Sequence, residues 1–439
     1  MPNITDTEAL IRRHRLPGLH GLPADEFVLP HYDGLSIANL PATTVALLGG
    51  QLPAAPPPLP RDLWSDWAPG LKRVILLILD ALGYLRLCRQ MATDGGLEVF
   101  RQLSQSGGFF PLTSVFPSTT TTALSTFWTG RTPAEHGMLG YELYLRDYGV
   151  LSNLITISPT YDQQREVLVK WGMEPEKFLP VPNLSEALEP QGIVLRGLTY
   201  SGFIGSGMSR IFRRGLDDSQ SYVTLADMWT TLRHMVQQRT QPQAEKELII
   251  AYWGGVDGVA HTRGPGTESW QAEVRCIACS MAREFLHPLS SGDRDGTLLL
   301  ITADHGQAHA PPEQATLLTE HPTLRDRLAL PLSGESRATY LFPRHNQVDA
   351  VRTYFAEHLG DKFVLLDSAR ALAAGLFGPG TPAPETPFRI GDLLALARGP
   401  NTLQRGDKTP KLIGRHGGLT PEEMLVPLIG IRLDALEGI

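Results

Sequence analysis

Three unbroken runs of apolar residues constrain the fold of this chain more than any other feature of its sequence. They read RVILLIL before Asp80, ELIIAYW before Asp257 and TLLLIT before Asp304, and a glycine lies close to each aspartate. Runs that do not alternate with polar residues are typical of strands covered on both faces, as in a parallel α/β sheet. Because ligands bind at the carboxyl ends of such strands, the three aspartates are candidates for one functional site.

Between these runs, apolar residues recur at helical spacing in residues 225–238 and 269–286. Buried strands that alternate with amphipathic helices are the pattern of an α/β fold. We therefore predict an α/β architecture with a mixed, mostly parallel sheet, helices on both faces, and insertions between the core strands.

The domain organisation follows from where the candidate ligands lie. Because they are spread over most of the chain, one catalytic domain is expected over residues 61–439. Residues 1–60 include the stretch AAPPPLP, which cannot form a helix or a central strand, and are predicted to be an extended N-terminal arm. Residues 131–224 and 310–395 are less regular and rich in turn residues, and are predicted to be insertions.

Composition excludes several classes of protein. Lys plus Arg number 39 and Asp plus Glu number 46, a net charge of −7 that argues against a generic nucleic-acid binder. Three cysteines rule out a disulfide framework. The N-terminal residues lack the apolar segment of a secretory signal, and no apolar run approaches about 18 residues, so a cytoplasmic protein without a membrane span is expected.

Three aspartates and three histidines form a candidate metal-binding set. Asp257 and His261 are one helical turn apart in DGVAHTRGPG, a spacing that places both side chains on one helix face. Mixed oxygen and nitrogen ligands suit Zn²⁺ or a similar divalent cation such as Mn²⁺. Six ligands exceed one tetrahedral site, so two cations are predicted, about 4 Å apart as in phosphoryl-transfer enzymes. The six residues are Asp80, Asp257, His261, Asp304, His305 and His416.

A purely structural interpretation accounts for each of these residues taken singly. An aspartate at a strand end is more often a helix cap or a turn residue than a ligand. Four separate segments, three of them at predicted strand ends and all with a nearby glycine, are much harder to explain in that way. The set as a whole therefore favours the metal site.

The segment VFPSTTTTALSTFWTGRTPAEHG, residues 115–137, carries the candidate nucleophile. Thr119 to Thr122 can cap a helix, since a threonine oxygen accepts a hydrogen bond from a backbone N–H group. The same position places a hydroxyl where the helix dipole and free N–H groups favour an anion, and where a metal can lower the pKa of that hydroxyl. The two interpretations are compatible.

Taken together, these motifs resemble the type I phosphodiesterase/nucleotide pyrophosphatase family of the alkaline phosphatase superfamily. The resemblance covers most of residues 72–427. It rests on the strand-ending Asp80, on PSTTTTALSTFWTGRTPAEHG, on DGVAHTRGP, and on DHG with the late HGG, in that order. It implies an alkaline-phosphatase-like fold.

The resemblance also implies roles for individual residues. Thr120, nine residues before Thr129, would be the nucleophile, with Thr119 and Thr121 as alternatives one residue away. One cation would be held by Asp257, His261 and His416. The other would be held by Asp80, Asp304, His305 and the Thr120 oxygen.

The implied function is hydrolysis of a phosphodiester or pyrophosphate bond in a small phosphate ester or nucleotide, through a phospho-threonine. The chain departs from the family at Ala123, where an asparagine usually helps hold a phosphate oxygen, and at Thr122, where proline is usual. The resemblance therefore does not extend to a nucleotide preference. Alternatives are a phosphomonoesterase, a phosphonate (C–P) hydrolase, or a non-catalytic metal-binding interaction module.

Overall fold

Two seven-stranded sheets organise this computed structural model, which describes residues 4–216, 219–238, 246–406 and 410–436. The strands are β1 Arg73–Leu79, β2 Gly108–Thr113, β3 Glu142–Leu145, β4 Val150–Asn153, β5 Ser158–Pro159, β6 Ile193–Tyr200, β7 Ser219–Tyr222, β8 Lys246–Trp253, β9 Thr297–Thr302, β10 Ala308–His309, β11 Ala315–Leu317, β12 Ser333–Gly334, β13 Ala338–Leu341, β14 Phe363–Asp367, β15 Leu393–Ala397, β16 Thr402–Gln404, β17 Gly414–Arg415 and β18 Leu425–Arg432.

Helices connect the strands and flank the larger sheet. They are α1 Ile4–Arg13, α2 Leu40–Leu47, α3 Tyr84–Thr93, α4 Glu98–Ser106, α5 Thr120–Thr129, α6 Pro133–His136, α7 Val167–Lys170, α8 Leu184–Leu188, α9 Gly207–Phe212, α10 Leu225–Gln237, α11 Gly255–Arg263, α12 Glu268–Ser280, α13 Ser291–Arg294, α14 Pro322–Arg325, α15 Val348–His358, α16 Ser368–Ala373, α17 Thr386–Arg389 and α18 Pro421–Met424. A π-helical turn, Met281–Leu286, continues α12, so both helices predicted from periodicity are confirmed.

The larger sheet confirms the predicted mixed, mostly parallel α/β architecture. Its strand order is β2-β18-β9-β1-β8-β6-β7. Strands β9, β1, β8, β6 and β7 run parallel to one another, while β18 is antiparallel to both of its neighbours. Every residue of β1 and β9 is buried, which explains why these runs carry no alternating polar positions.

The three apolar runs singled out in the sequence are neighbouring strands at the centre of this sheet. In the register, Ile78 of β1 lies beside Thr302 of β9, and Leu79 lies beside Trp253 of β8. The three strands therefore end at the same edge of the sheet, and the aspartates that follow them are brought to one place.

The two predicted insertions do not form separate units, because their strands pair with one another in one sheet. Residues 131–224 supply β3, β4 and β5, and residues 310–395 supply β12 to β15, and all seven strands form one antiparallel sheet in the order β14-β15-β13-β12-β3-β4-β5. The two stretches meet where Gly334 of β12 pairs with Glu142 of β3. Strands β6 and β7 also fall within 131–224, yet they belong to the larger sheet, so that stretch is not wholly an insertion.

The N-terminal segment differs from the extended arm predicted for residues 1–60. It contains α1 and α2, and apolar side chains such as Phe27, Tyr32 and Ile37 are buried in the main hydrophobic core. Its backbone also bonds to that core, since the Val28 N–H donates to the Leu419 carbonyl at 2.8 Å. The proline-rich residues 54–60 contain no helix or strand, but this property does not extend to the whole N-terminal segment, because α1 and α2 lie before it.

Across the described ranges, we find no helix that combines the length and the apolar character needed to cross a lipid bilayer.

A buried ion pair fastens the second sheet to the end of the larger one. The Arg337 guanidinium, just before β13, donates to both oxygens of Glu423 in α18 at 2.7 and 2.8 Å, and both side chains are fully buried. Arg337 also donates to the carbonyls of Gly399 and Asn401. Because both side chains are fully buried, removing one of them leaves an uncompensated buried charge.

Arg337→Met is therefore expected to lower the free energy of unfolding by about 3–5 kcal/mol. The double variant with Glu423→Gln should recover part of that loss, because the glutamine keeps an acceptor without the charge. Urea unfolding followed by fluorescence measures both values. As a control, Arg325→Met removes a surface pair with Asp326 and should change stability by less than about 0.5 kcal/mol. Equal effects of Arg337→Met and Arg325→Met would contradict this account.

Candidate active site

The candidate ligands converge at the carboxyl edge of the larger sheet. Asp80 directly follows β1, Asp304 and His305 lie two and three residues after β9, and Asp257 and His261 lie on α11 just after β8. His416 directly follows β17. The structure thus brings together all six residues from four separate segments, as the sequence analysis predicts.

Asp257, His261 and His416 form the first group of potential ligand atoms. The His261 Nε2 atom lies 3.2 Å from Asp257 Oδ1 and 3.2 Å from His416 Nε2. One ligand atom from each of the three residues fits within 4.8 Å of the others. This is the set that the family resemblance assigns to one cation.

The second group surrounds the Nε2 atom of His305. Asp80 Oδ1 and Asp304 Oδ2 each lie 3.4 Å from it, and the Thr120 hydroxyl lies 3.1 Å from it. Asp257 also falls within 4.8 Å of Asp80 and His305, so its carboxylate lies between the two groups. The His305 and His416 rings stack with centroids 3.9 Å apart, which places the two groups side by side.

Backbone carbonyls orient all three histidines in the same way. The Nδ1 atoms of His261, His305 and His416 lie 2.7, 3.0 and 3.2 Å from the carbonyl oxygens of Gly414, Gly306 and Ser118 respectively. An Nδ1–H that donates to a carbonyl fixes the tautomer and leaves the Nε2 lone pair free. Every histidine therefore presents an acceptor nitrogen to the centre of the site.

Burial and the nearness of the other aspartates make the charged form of Asp80 costly in the absence of a cation. Burial and the neighbouring Asp304 and Asp257 raise the pKa of Asp80 well above its usual range. Burial and the nearby histidines hold the pKa of His416 well below its usual range. Asp80 Oδ1 and Asp304 Oδ2 are buried and accept no hydrogen bond from any residue in the described ranges. Buried carboxylate oxygens facing unprotonated imidazoles fit divalent cations.

Thr120 is the threonine of the TTTT run that faces this cluster. It is the first residue of α5, and Thr119 is the N-cap, although the Thr119 side chain makes no capping bond. Thr119 instead hydrogen-bonds to the carboxyl group of Glu335. Thr121 and Thr122 are buried, and their hydroxyls have no partner among the described residues.

Two further polar residues that sequence reasoning missed hold the ligands in place. The Tyr252 hydroxyl donates to Asp80 Oδ2, and the Gln307 amide donates to Asp257 Oδ1. Tyr252 lies on β8, and Gln307 lies two residues after His305. The only sequence signal for these two residues is that they lie close to the ligand motifs. It is a weak signal, because a tyrosine or glutamine in such a stretch has many other possible roles.

A third missed residue, Glu335, lies behind the threonine loop. It is buried, and its carboxylate accepts hydrogen bonds from Thr119 and from the Tyr141 N–H, the latter at 3.0 Å. Burial nevertheless raises its pKa to about 8. The second sheet supplies this residue, and no motif marks it in the sequence.

Comparison with known proteins identifies the family of this chain. The sequence model described as type I phosphodiesterase / nucleotide pyrophosphatase matches residues 74–419, a range that contains every candidate ligand. The chain belongs to the type I phosphodiesterase/nucleotide pyrophosphatase family. It is thus a member of a family of divalent-metal-dependent phosphoryl hydrolases, and the model of the family spans both of its sheets.

Solved structures with similar folds agree with this assignment. Murine ectonucleotide pyrophosphatase/phosphodiesterase 5 superposes with a TM-score of 0.60 at 14% identity, covering 81% of this chain and 87% of the murine chain. Phosphonoacetate hydrolase from Sinorhizobium meliloti 1021, in complex with phosphonoformate, gives a TM-score of 0.58 at 16% identity, covering 82% and 90%.

An inactive threonine-to-alanine variant of the murine protein, in complex with AMP, gives a TM-score of 0.59 at 14% identity, covering 82% and 87%. No protein with a curated description matches the sequence significantly. The likeness to these structures establishes the alkaline-phosphatase-like fold.

The raised pKa of Glu335 predicts a pH dependence of stability. Between its ordinary value of 4.5 and about 8, the folded protein keeps a proton that the unfolded chain releases. The wild type should therefore lose stability relative to Glu335→Gln as the pH rises through this window, and the difference should be constant above it. Urea unfolding of both metal-free proteins across the window measures this difference. A difference that does not change with pH would contradict it.

Proposed function

We propose that this protein hydrolyses phosphodiester or pyrophosphate bonds of small phosphate esters, with Thr120 as the nucleophile and two divalent cations as cofactors. One observation carries the proposal. The Thr120 hydroxyl lies 3.1 Å from His305 Nε2, at the edge of a cluster of three carboxylates and three oriented histidines. A structural metal site without catalytic function would need only four ligands, and it would not need a hydroxyl beside them.

In this proposal, Asp257, His261 and His416 hold one cation, and Asp80, Asp304, His305 and Thr120 hold the other. The mixture of imidazole nitrogens and carboxylate oxygens suits Zn²⁺, and the high share of carboxylates makes Mn²⁺ the alternative. When bound, the cations would lower the pKa of the threonine hydroxyl and neutralise charge on the phosphate oxygens.

The chain's own residues supply the geometry of the reaction. The Thr120 oxygen forms a bond to phosphorus while the bond from phosphorus to the leaving oxygen breaks, giving a phospho-threonine. Water then attacks phosphorus, and the products are the free threonine and a phosphate monoester or phosphate. Because Thr120 begins α5, the positive end of that ten-residue helix also faces the phosphate and favours its negative charge.

Two points from related proteins support this assignment. The murine ectonucleotide pyrophosphatase/phosphodiesterase 5 variant with a threonine replaced by alanine is described as inactive and was solved with AMP. Threonine is also the residue type that this chain places beside the histidine cluster. AMP and phosphonoformate in the related structures are small phosphorus-containing ligands, which is the substrate class proposed here.

A phosphonate hydrolase is the second candidate, since the phosphonoacetate hydrolase structure covers as much of this chain as the murine one does. A panel of para-nitrophenyl monoesters, para-nitrophenyl diesters and phosphonoacetate distinguishes the candidates by relative kcat/KM. The highest value for a diester supports the main proposal. Turnover of phosphonoacetate alone would overturn it in favour of the second candidate.

The purified protein is expected to carry about two divalent cations per chain. His261→Ala or His416→Ala should remove mainly one, and Asp304→Ala mainly the other, because the two groups use different ligands. Elemental analysis by mass spectrometry measures the content, and the exposed His345→Ala provides a control that should lose none. Absence of any transition metal, together with no activation by added Zn²⁺ or Mn²⁺, would contradict the mechanism.

The same substitution at adjacent threonines tests the nucleophile. Thr120→Val should lower kcat by at least about three orders of magnitude, because no attacking oxygen remains. Thr121→Val should keep most activity, because its buried hydroxyl bonds to nothing among the described residues and valine has the same shape. Thr120→Ser should retain part of the activity. Near-normal turnover by Thr120→Val, or a trapped phosphoryl group mapped to another residue, would refute the assignment.

A further inference from the structure

A cavity of about 650 Å³ lies between the second sheet and the chain segment that leads to His416. This volume is in the range of small-molecule binding sites, about 300–1,000 Å³. Its walls include Tyr141 and Glu335 from the second-sheet side and residues 403–406 and 410–412 from the other side. The cavity lies outside the metal cluster. It is large, it is lined by charged residues, and it is close to the proposed site.

Contacts on its wall connect the cavity to the proposed site. Glu335 lines the cavity, and its carboxyl group is hydrogen-bonded to Thr119, the neighbour of Thr120. Arg415 also lines the cavity and directly precedes His416. The cavity wall thus includes one residue that contacts the neighbour of Thr120 and one that precedes His416.

The charged residues of the lining are predominantly basic. Among the described residues of the lining, Arg405, Lys411 and Arg415 are basic, and Glu142 and Glu335 are acidic. Arg405 and Glu142 form an ion pair at 2.9 Å. Since burial raises the pKa of Glu335 to about 8, that side chain carries little charge at pH 7. Among the described residues of the lining, Lys411 and Arg415 then have no fully charged acidic partner.

Arg415 is a basic residue of the lining whose guanidinium lacks a hydrogen-bond partner among the described residues at one of its buried nitrogens. Its buried Nε donates no hydrogen bond to any residue that the structure describes. A guanidinium in such surroundings forms short, strong hydrogen bonds with a carboxylate or phosphate that enters.

We propose that this cavity binds a second anionic group of the substrate, a carboxylate or phosphate that lies beyond the reacting phosphorus, with Arg415 and Lys411 as its ligands. The inference rests on the proposed function, because Thr120 and the metal cluster hold the first anionic group. It narrows the substrate class from phosphate esters in general to those that carry an additional negative charge. A neutral aryl or alkyl group would leave both cations unpaired.

Binding of compounds that the enzyme does not turn over tests this inference separately from catalysis. The probes are ω-carboxyalkylphosphonates with two to five methylene groups, alkylphosphonates of matched length, and α,ω-bisphosphonates. Isothermal titration calorimetry with the Zn²⁺-loaded protein at pH 7 gives the Kd of each. At one chain length or more, the doubly anionic probe should bind at least about tenfold more tightly than its matched alkylphosphonate. Comparison of the carboxylate and bisphosphonate series identifies which anion is preferred.

Substitutions of the cavity residues test whether the preference for doubly anionic probes arises in the cavity. Lys411→Gln and Arg415→Met should each reduce the ratio of the two Kd values at least about threefold, and Arg415→Lys should restore part of it. Lys170→Gln removes an exposed positive charge elsewhere and should leave the ratio unchanged. Because Lys411 is exposed, its variant is expected to fold even if Arg415→Met does not.

Equal affinity of matched probes at every chain length would overturn the inference, and so would a ratio that Lys411→Gln leaves unchanged. Neither result would affect the proposed hydrolysis, which is judged from turnover by Thr120 variants. Conversely, if the protein hydrolyses no ester but binds doubly anionic probes more tightly, the proposed catalysis would be refuted and the inferred binding site would be supported.

Discussion

The site depends on one constraint, the placement of several carboxylates in a buried position at the edge of a parallel sheet. Strands β1, β8 and β9 are neighbours that end together, so Asp80, Asp257 and Asp304 are forced close to one another. Their mutual repulsion and desolvation raise the pKa values of Asp80 and Asp257. Divalent cations, on which enzymes of this family depend, would offset this repulsion when bound.

Around this centre, the protein fixes ligand orientation before any cation binds. Backbone carbonyls hold the three imidazoles in the tautomer that presents Nε2, and Tyr252 and Gln307 hold two of the carboxylates. Close backbone packing supports the same geometry. A Cβ atom on Gly306 would lie 2.1 Å from the Glu422 carbonyl oxygen, so only glycine fits after Asp304 and His305.

The second sheet shapes what surrounds Thr120, the proposed nucleophile. It brings Glu335 behind the threonine loop, and the Arg337–Glu423 pair fastens it to α18 of the core. The metal cluster and the cavity beside it are therefore built by different parts of the fold. The parallel sheet carries the candidate metal ligands, while the second sheet and residues 403–406, 410–412 and 415 line the cavity that we propose for the rest of the substrate.

The sequence by itself determined the central strands, the acidic residues that follow them and the family. Unbroken apolar runs specify strands buried on both faces, and an aspartate after each run specifies the functional edge, because both signals are local in the chain. Tertiary structure alone decided what depends on distant contacts. It paired the two predicted insertions into one sheet and buried the segment before residue 60, because apolar side chains without periodicity reveal their partners only on packing. It also placed the hydroxyl of Thr120, one of four consecutive threonines, beside His305, since neighbouring residues of a helix point about 100° apart.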